Sequence, residues 1–192
     1  MHSRSMLQAL IFDLDGTLID SGPLHFEVLR ELLAERGVNL EWNWYRGHLG
    51  MTFAGMMERL DQTLPYREIL DESHRRFLAC IDQLTIHHDV VSLARALHGR
   101  LPMAVASNGH REVVEASLKA TGLRHYFDTV VTVDDVAQGK PAPDMFLEAA
   151  RRLGARPEWC QVMEDSDEGL EAARRAGIPA RDVRLMRQAA CA

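Results

Sequence analysis

The chain has 192 residues, 46% of them hydrophobic, and a formal net charge of −6. That suits one domain, or one domain carrying a modest insert, and the negative balance argues against nucleic acid as a partner. No stretch is apolar for long enough to span a bilayer. Residues Met1 to Ser5 lack the apolar run of a signal peptide, and Cys80, Cys160 and Cys191 stand far apart in no metal-ligand pattern. Reduced thiols in a cytoplasmic protein are the expectation.

In chain order, Leu7 to Phe12 is an apolar run broken only by Gln8, the pattern of a short buried strand. It stops at Asp13-Leu14-Asp15-Gly16. From Asp20 to about His87 the spacing is helical. Phe26, Leu29, Leu32 and Leu33 form one stripe, closed by Gly37. Phe53, Met56, Met57 and Leu60 form another, and Ile69, His74, Phe77, Leu78 and Ile81 a looser one. No strand pattern is visible there. The expectation is an all-helical cap over residues 21–87, inserted after the first strand of a core made of residues 6–20 and 88–192. Gly22-Pro23 and the polar stretch Leu84–His88 would be its hinges.

Beyond Asp89 the pattern alternates. Helices are expected at 90–97, 110–120, 141–153 and 168–176. Strands are expected at 102–106, 128–133, 161–163 and 180–183. Such alternation implies an α/β fold, a Rossmann-like parallel sheet covered by helices on both faces. Ligands of such sheets bind at the carboxyl ends of the strands.

Those ends carry the chemistry. The first ends at Asp13 and Asp15, the second at Ser107-Asn108-Gly109, and the fourth at Glu164-Asp165; the loop after the third delivers Lys140-Pro141. The chain has two lysines, Lys119 and Lys140, against twenty arginines. A lysine here marks a place where a compact ammonium is needed rather than a planar fork. Four carboxylates (Asp13, Asp15, Glu164, Asp165) against one lysine is a severe imbalance at low dielectric. A divalent cation would correct it. Mg2+ takes one or two carboxylates and leaves room for a substrate phosphate. Ser107, before a helix N-terminus, suits a phosphate oxygen.

Four ordered segments, Asp13-Leu14-Asp15-Gly16-Thr17-Leu18-Ile19-Asp20, Ser107-Asn108-Gly109, Lys140-Pro141-Ala142-Pro143-Asp144 and Glu164-Asp165-Ser166 with Gly169, resemble the motifs of the haloacid dehalogenase-like superfamily. The helical insert resembles the cap of its β-phosphoglucomutase-like branch. The C-terminal half is similar to bacterial phosphatases of fructose 1-phosphate and 6-phosphogluconate. The resemblance implies an Mg2+-dependent phosphatase acting on a small phosphorylated metabolite. Asp13 would be the nucleophile and Asp15 the general acid and base. Ser107, Asn108 and Lys140 would bind phosphate. Asp13, the Asp15 carbonyl and Asp165 would hold the metal, with Glu164 acting directly or through water. His25 and Thr52, the latter in the cap loop Gly50-Met51-Thr52, would read the substrate.

A phosphosugar mutase is the alternative within the branch. It needs cap cations for a second phosphate, but Phe53 stands where the mutases carry arginine and the cap has no lysine. The missing cap lysine also argues against phosphonatase chemistry, and Asp15 argues against dehalogenation. A non-catalytic binding protein on the same fold would be expected to have lost Asp13, Asp15 or Lys140.

Overall fold

The computed structural model describes residues 7–60 and 64–190; Met1–Ser5 and Cys191 lie outside them. Strand β1 (Ala9–Phe12) is followed by β2 (Ile19–Asp20) and four helices: α1 (Gly22–Ala34), α2 (Trp42–Arg46), α3 (Phe53–Leu60) and α4 (Tyr66–Ala79). The chain returns through β3 (Thr85–Ile86) and α5 (His88–Leu97). It then alternates through β4 (Met103–Ser107), α6 (Arg111–Ala120), β5 (Thr129–Thr132), α7 (Asp144–Arg152), β6 (Cys160–Glu164), α8 (Asp167–Ala176), β7 (Ala180–Asp182) and α9 (Val183–Ala190).

The sheet order is β5-β4-β1-β6-β7, with every neighbouring pair parallel. β1 is therefore the central strand, hydrogen-bonded on both sides. Alternating residues point to opposite faces. Leu10 and Phe12 join Val90, Met103, Val105, Leu118 and Phe127 beneath α5 and α6. Ala9 and Ile11 join Ala104, Met145, Phe146 and Ala172 beneath α7 and α8. Both faces of β1 are buried, which explains its unbroken apolar run. Strand register then brings the carboxyl ends of β1, β4 and β6 side by side: Phe12 is level with Val105 and Met163. Asp13, Ser107 and Glu164 lie at or just past that level.

Helices α1–α4 enclose their own core of Phe26, Leu29, Leu33, Tyr45, Met56 and Ile69, and α4 rests on α6. Two features differ from the expectation. β2 and β3 pair as an antiparallel ribbon, Ile19 with Ile86 and Asp20 with Thr85, at the base of the helical insert. Strands two residues long carry no readable period. Gly22 and Pro23, expected as a hinge, form the first turn of α1, where proline's missing N–H and fixed φ are tolerated. Among the described residues no helix is long and apolar enough to cross a membrane.

Candidate active site

A cavity of about 480 Å³ opens between the helical insert and the carboxyl edge of the sheet. Its floor includes Asp13, Asp15, Asn108, Lys140 and Asp165. Its roof includes His25, Trp42, Tyr45, Met51, Phe53 and His74.

Lys140 organises the floor. Its Nζ donates to Asp13 Oδ1 at 2.6 Å and to Glu164 Oε2 at 2.8 Å, with the Phe146 ring beneath it. The side chain is 2% exposed. Burial pulls the ammonium pKa down, but Asp13 and Glu164 outweigh it, so the lysine stays charged. The other nucleophile oxygen, Asp13 Oδ2, is buried and has no hydrogen-bond partner. Burial, and then Glu164, push the Asp13 carboxyl well above its ordinary range against the pull of Lys140. An orphaned, buried carboxylate oxygen is costly unless something occupies it.

Asp13, Glu164 and Asp165 each offer an oxygen within 4.8 Å of the others. Asp165 accepts from the Thr17 hydroxyl at 3.0 Å. Burial, then Glu164, raise its carboxyl to about 6. Gly16 makes the approach possible: φ is +86°, and a Cβ there would stand 2.2 Å from Asp165 Oδ2. The hard oxygen donors and the orphaned Asp13 oxygen fit Mg2+.

Glu164 belongs to that cluster and is also hydrogen-bonded within the protein. Its Oε1 accepts from Asp165 N, Ser166 N and Ser166 Oγ at 2.9–3.0 Å, and Oε2 accepts from Lys140. Both oxygens are committed, so the side chain aims Lys140 and fixes the start of α8. Gly169 leaves the room it needs, since a Cβ there would fall 1.9 Å from Oε2.

Asp15 turns away from the acidic cluster. It accepts from Ser21 Oγ at 2.6 Å and Ser107 Oγ at 3.1 Å, and His25 Nε2 lies 3.8 Å from Oδ1. Burial alone would raise its pKa; His25, Ser21 and Ser107 together bring it below the ordinary value. Ser107 Oγ also accepts from Gly109 N at 3.0 Å. The Asn108 side chain ties three segments together. Its Nδ2 donates to Gly50 O in the insert and to Lys140 O, and its Oδ1 accepts from Lys140 N. Its amide group thus latches the loop instead of pointing at a ligand.

The structure does not bring Thr52 to the cavity wall. Its hydroxyl accepts from Gly55 N at 3.2 Å, capping α3; the residues that face the cavity from that loop are Gly50 and Met51. The expectation for Thr52 is corrected accordingly. Three residues on the wall carried no functional expectation from the sequence. His74 on α4 meets His110, just before α6, edge to face at 5.2 Å, and His110 is held by Asp134 at 2.8 Å. Burial, then His110, keep the His74 ring below its ordinary pKa. Arg187, on α9, is the third. Helical spacing of Val183 and Met186 was the available signal for α9.

Comparison with known proteins agrees with this architecture. Residues 7–177 match the haloacid dehalogenase-like hydrolase family. The chain is 38% identical to the fructose-1-phosphate phosphatase YqaB of Escherichia coli, over 92% of this chain and 96% of that protein. It is 31% identical to a phosphorylated carbohydrates phosphatase of Thermotoga maritima, over 90% and 82% of the two chains. The crystal structure of CbbY from Rhodobacter sphaeroides in complex with phosphate superposes with a TM-score of 0.82 at 30% identity, covering 91% of this chain and 85% of that one. The chain belongs to the haloacid dehalogenase-like hydrolase family, and it is an enzyme of the phosphatase kind.

Proposed function

We propose that the protein is an Mg2+-dependent sugar-phosphate phosphatase that works through an aspartyl-phosphate on Asp13. The observation that carries this reading is the asymmetry of Asp13. One oxygen is fixed on Lys140 and the other is buried and unpartnered, and the carboxylate offers an oxygen within 4.8 Å of Asp165. That is a carboxylate positioned as a nucleophile beside a cation site. Asp13 and Asp165, with the Asp15 carbonyl, would hold Mg2+, which when bound offsets negative charge on a phosphoryl oxygen. Lys140 adds a fixed positive charge, and Ser107, with the N–H groups at the start of α6, would bind the phosphate once its hydroxyl leaves Asp15.

Asp15, held by Ser21, Ser107 and His25, would protonate the leaving alcohol and then take a proton from the attacking water. Such help is worth about 10²–10⁴-fold. Uncatalysed phosphate-monoester hydrolysis is slow enough to require up to ~10²¹-fold. Positioning and charge must therefore supply most of the acceleration.

Residues 21–87 would act as a cap moving on the β2–β3 ribbon, excluding water when closed. The cavity roof supports a polyhydroxylated substrate of one phosphate, with fructose 1-phosphate and 6-phosphogluconate as first candidates. A neutral imidazole at His74, kept below its ordinary pKa by burial, can both donate to and accept from hydroxyls, and Phe53 leaves its part of the roof without a cation for a second phosphate. The names of the relatives point the same way.

A panel of sugar phosphates assayed for released phosphate tests the reading. His74→Ala should lower kcat/KM for the preferred sugar phosphate by roughly 3- to 10-fold, the loss of one hydrogen bond. p-Nitrophenyl phosphate, which has no hydroxyls to read, should change little. His25→Ala should depress both, because His25 faces Asp15. Equal losses on both substrates in the His74 variant would contradict the assignment of sugar reading to the roof.

A further inference from the structure

The family match ends at residue 177, yet the segment beyond it reaches the candidate active site. Helix α9 is docked by Val183, which is fully buried, and by Met186 packed against the same core. Arg187 is one residue on. Its Nη2 donates to Thr17 O at 3.2 Å. Its Nε is buried without a hydrogen-bond partner and lies 3.4 Å from Asp89 Oδ2, on the first turn of α5. Thr17 is itself fully buried, and its hydroxyl donates to Asp165 Oδ1 at 3.0 Å. The turn it belongs to is further tied to the root of the insert, where His87 N donates to Leu18 O at 2.9 Å.

We infer that Arg187 is a positioning residue: through Thr17 it braces the turn that holds Asp165 in place for the metal. The inference rests on the proposed cation site. A planar guanidinium can span the Thr17 carbonyl and the Asp89 carboxylate at once, whereas a single ammonium reaches one of them at a time. Partners that orient a metal ligand from behind are typically worth 10- to 100-fold in metal affinity or activity.

The sign of the effect separates this role from simple electrostatics. An arginine acting only as a nearby positive charge would repel a divalent cation, so its loss would tighten binding. An arginine acting as a brace gives the opposite result.

The test is Mn2+ binding to the full-length protein without substrate, read from the free-ion electron paramagnetic resonance signal. Arg187→Met keeps the apolar stem and should weaken Mn2+ about 10-fold, with the unfolding midpoint near that of wild type. Arg187→Lys should recover only part of the loss. Thr17→Val should weaken binding as well, and the double variant should be no worse than Thr17→Val alone, because both act through one chain of contacts. Unchanged or tighter binding in Arg187→Met, or losses that multiply in the double variant, would overturn the inference. Failure of the wild-type protein to bind Mn2+ would overturn the cation site itself, and the brace with it.

Discussion

Asp13→Asn is expected to lower turnover of every phosphorylated substrate by more than about 10³-fold, the scale on which removal of a nucleophile acts in other covalent hydrolases. Asparagine keeps the shape but offers a far weaker nucleophile. The fold should survive. Lys140 retains Glu164 at 2.8 Å, and Asp13 is a carboxyl whose pKa is raised by burial and by Glu164. A raised folded-state pKa means that the native state holds its proton more tightly than the unfolded chain. The associated stability is present at low pH and is lost as pH rises, so at neutral pH the Asp13 charge costs stability rather than adding to it. Thermal unfolding should therefore start no lower in the variant. Turnover within tenfold of wild type would rule out Asp13 as the nucleophile.

Removal of divalent metal should have the second largest effect. Excess chelator is expected to stop phosphate release, and added Mg2+ to restore it. Without a cation, Asp13 and Asp165 face the incoming phosphate with Lys140 already engaged by Asp13 and Glu164. Ca2+ should be a poor substitute, because its larger and more flexible shell holds Asp13 less rigidly. The requirement should also depend on pH. Asp165 is raised to about 6 by burial and by Glu164, and a metal must displace that proton. Below about pH 6 the proton competes, so the Mg2+ concentration for half-maximal activity should climb as pH falls through 6. Full activity in excess chelator would remove the charge argument for the cation.

Much of the core could be read from the chain because burial leaves a plain signature. β1 is apolar on both faces, so its run Ala9–Phe12 stands out, and the abrupt change to Asp13 and Asp15 marks the edge where the sheet meets its ligand. The scarcity of lysine singled out Lys140, which the structure buries between Asp13 and Glu164.

Other features depend on contacts that spacing does not encode. β2 and β3 are stabilised by each other across the insert, with too few residues to show a period. Thr52 was assigned by the position of its loop, but a hydroxyl ahead of a helix finds the nearest unpaired N–H, here Gly55. Glu164 was counted as a free charge, although three donors at the start of α8 and Lys140 already share its carboxylate. His74 and His110 become neighbours only when α4 settles on α6.

The most direct measurement is to look for the phosphoryl group on the protein. Enzyme, Mg2+ and a turned-over sugar phosphate are mixed, quenched in acid within milliseconds to seconds, reduced with borohydride and digested. Borohydride converts an acyl phosphate, but not a free carboxylate, to an alcohol. The peptide containing Asp13 should then carry homoserine at that position, only when both substrate and Mg2+ were present and never in Asp13→Asn. Steady release of phosphate with residue 13 still aspartate at every quench time, or reduction at another carboxylate, would contradict the account.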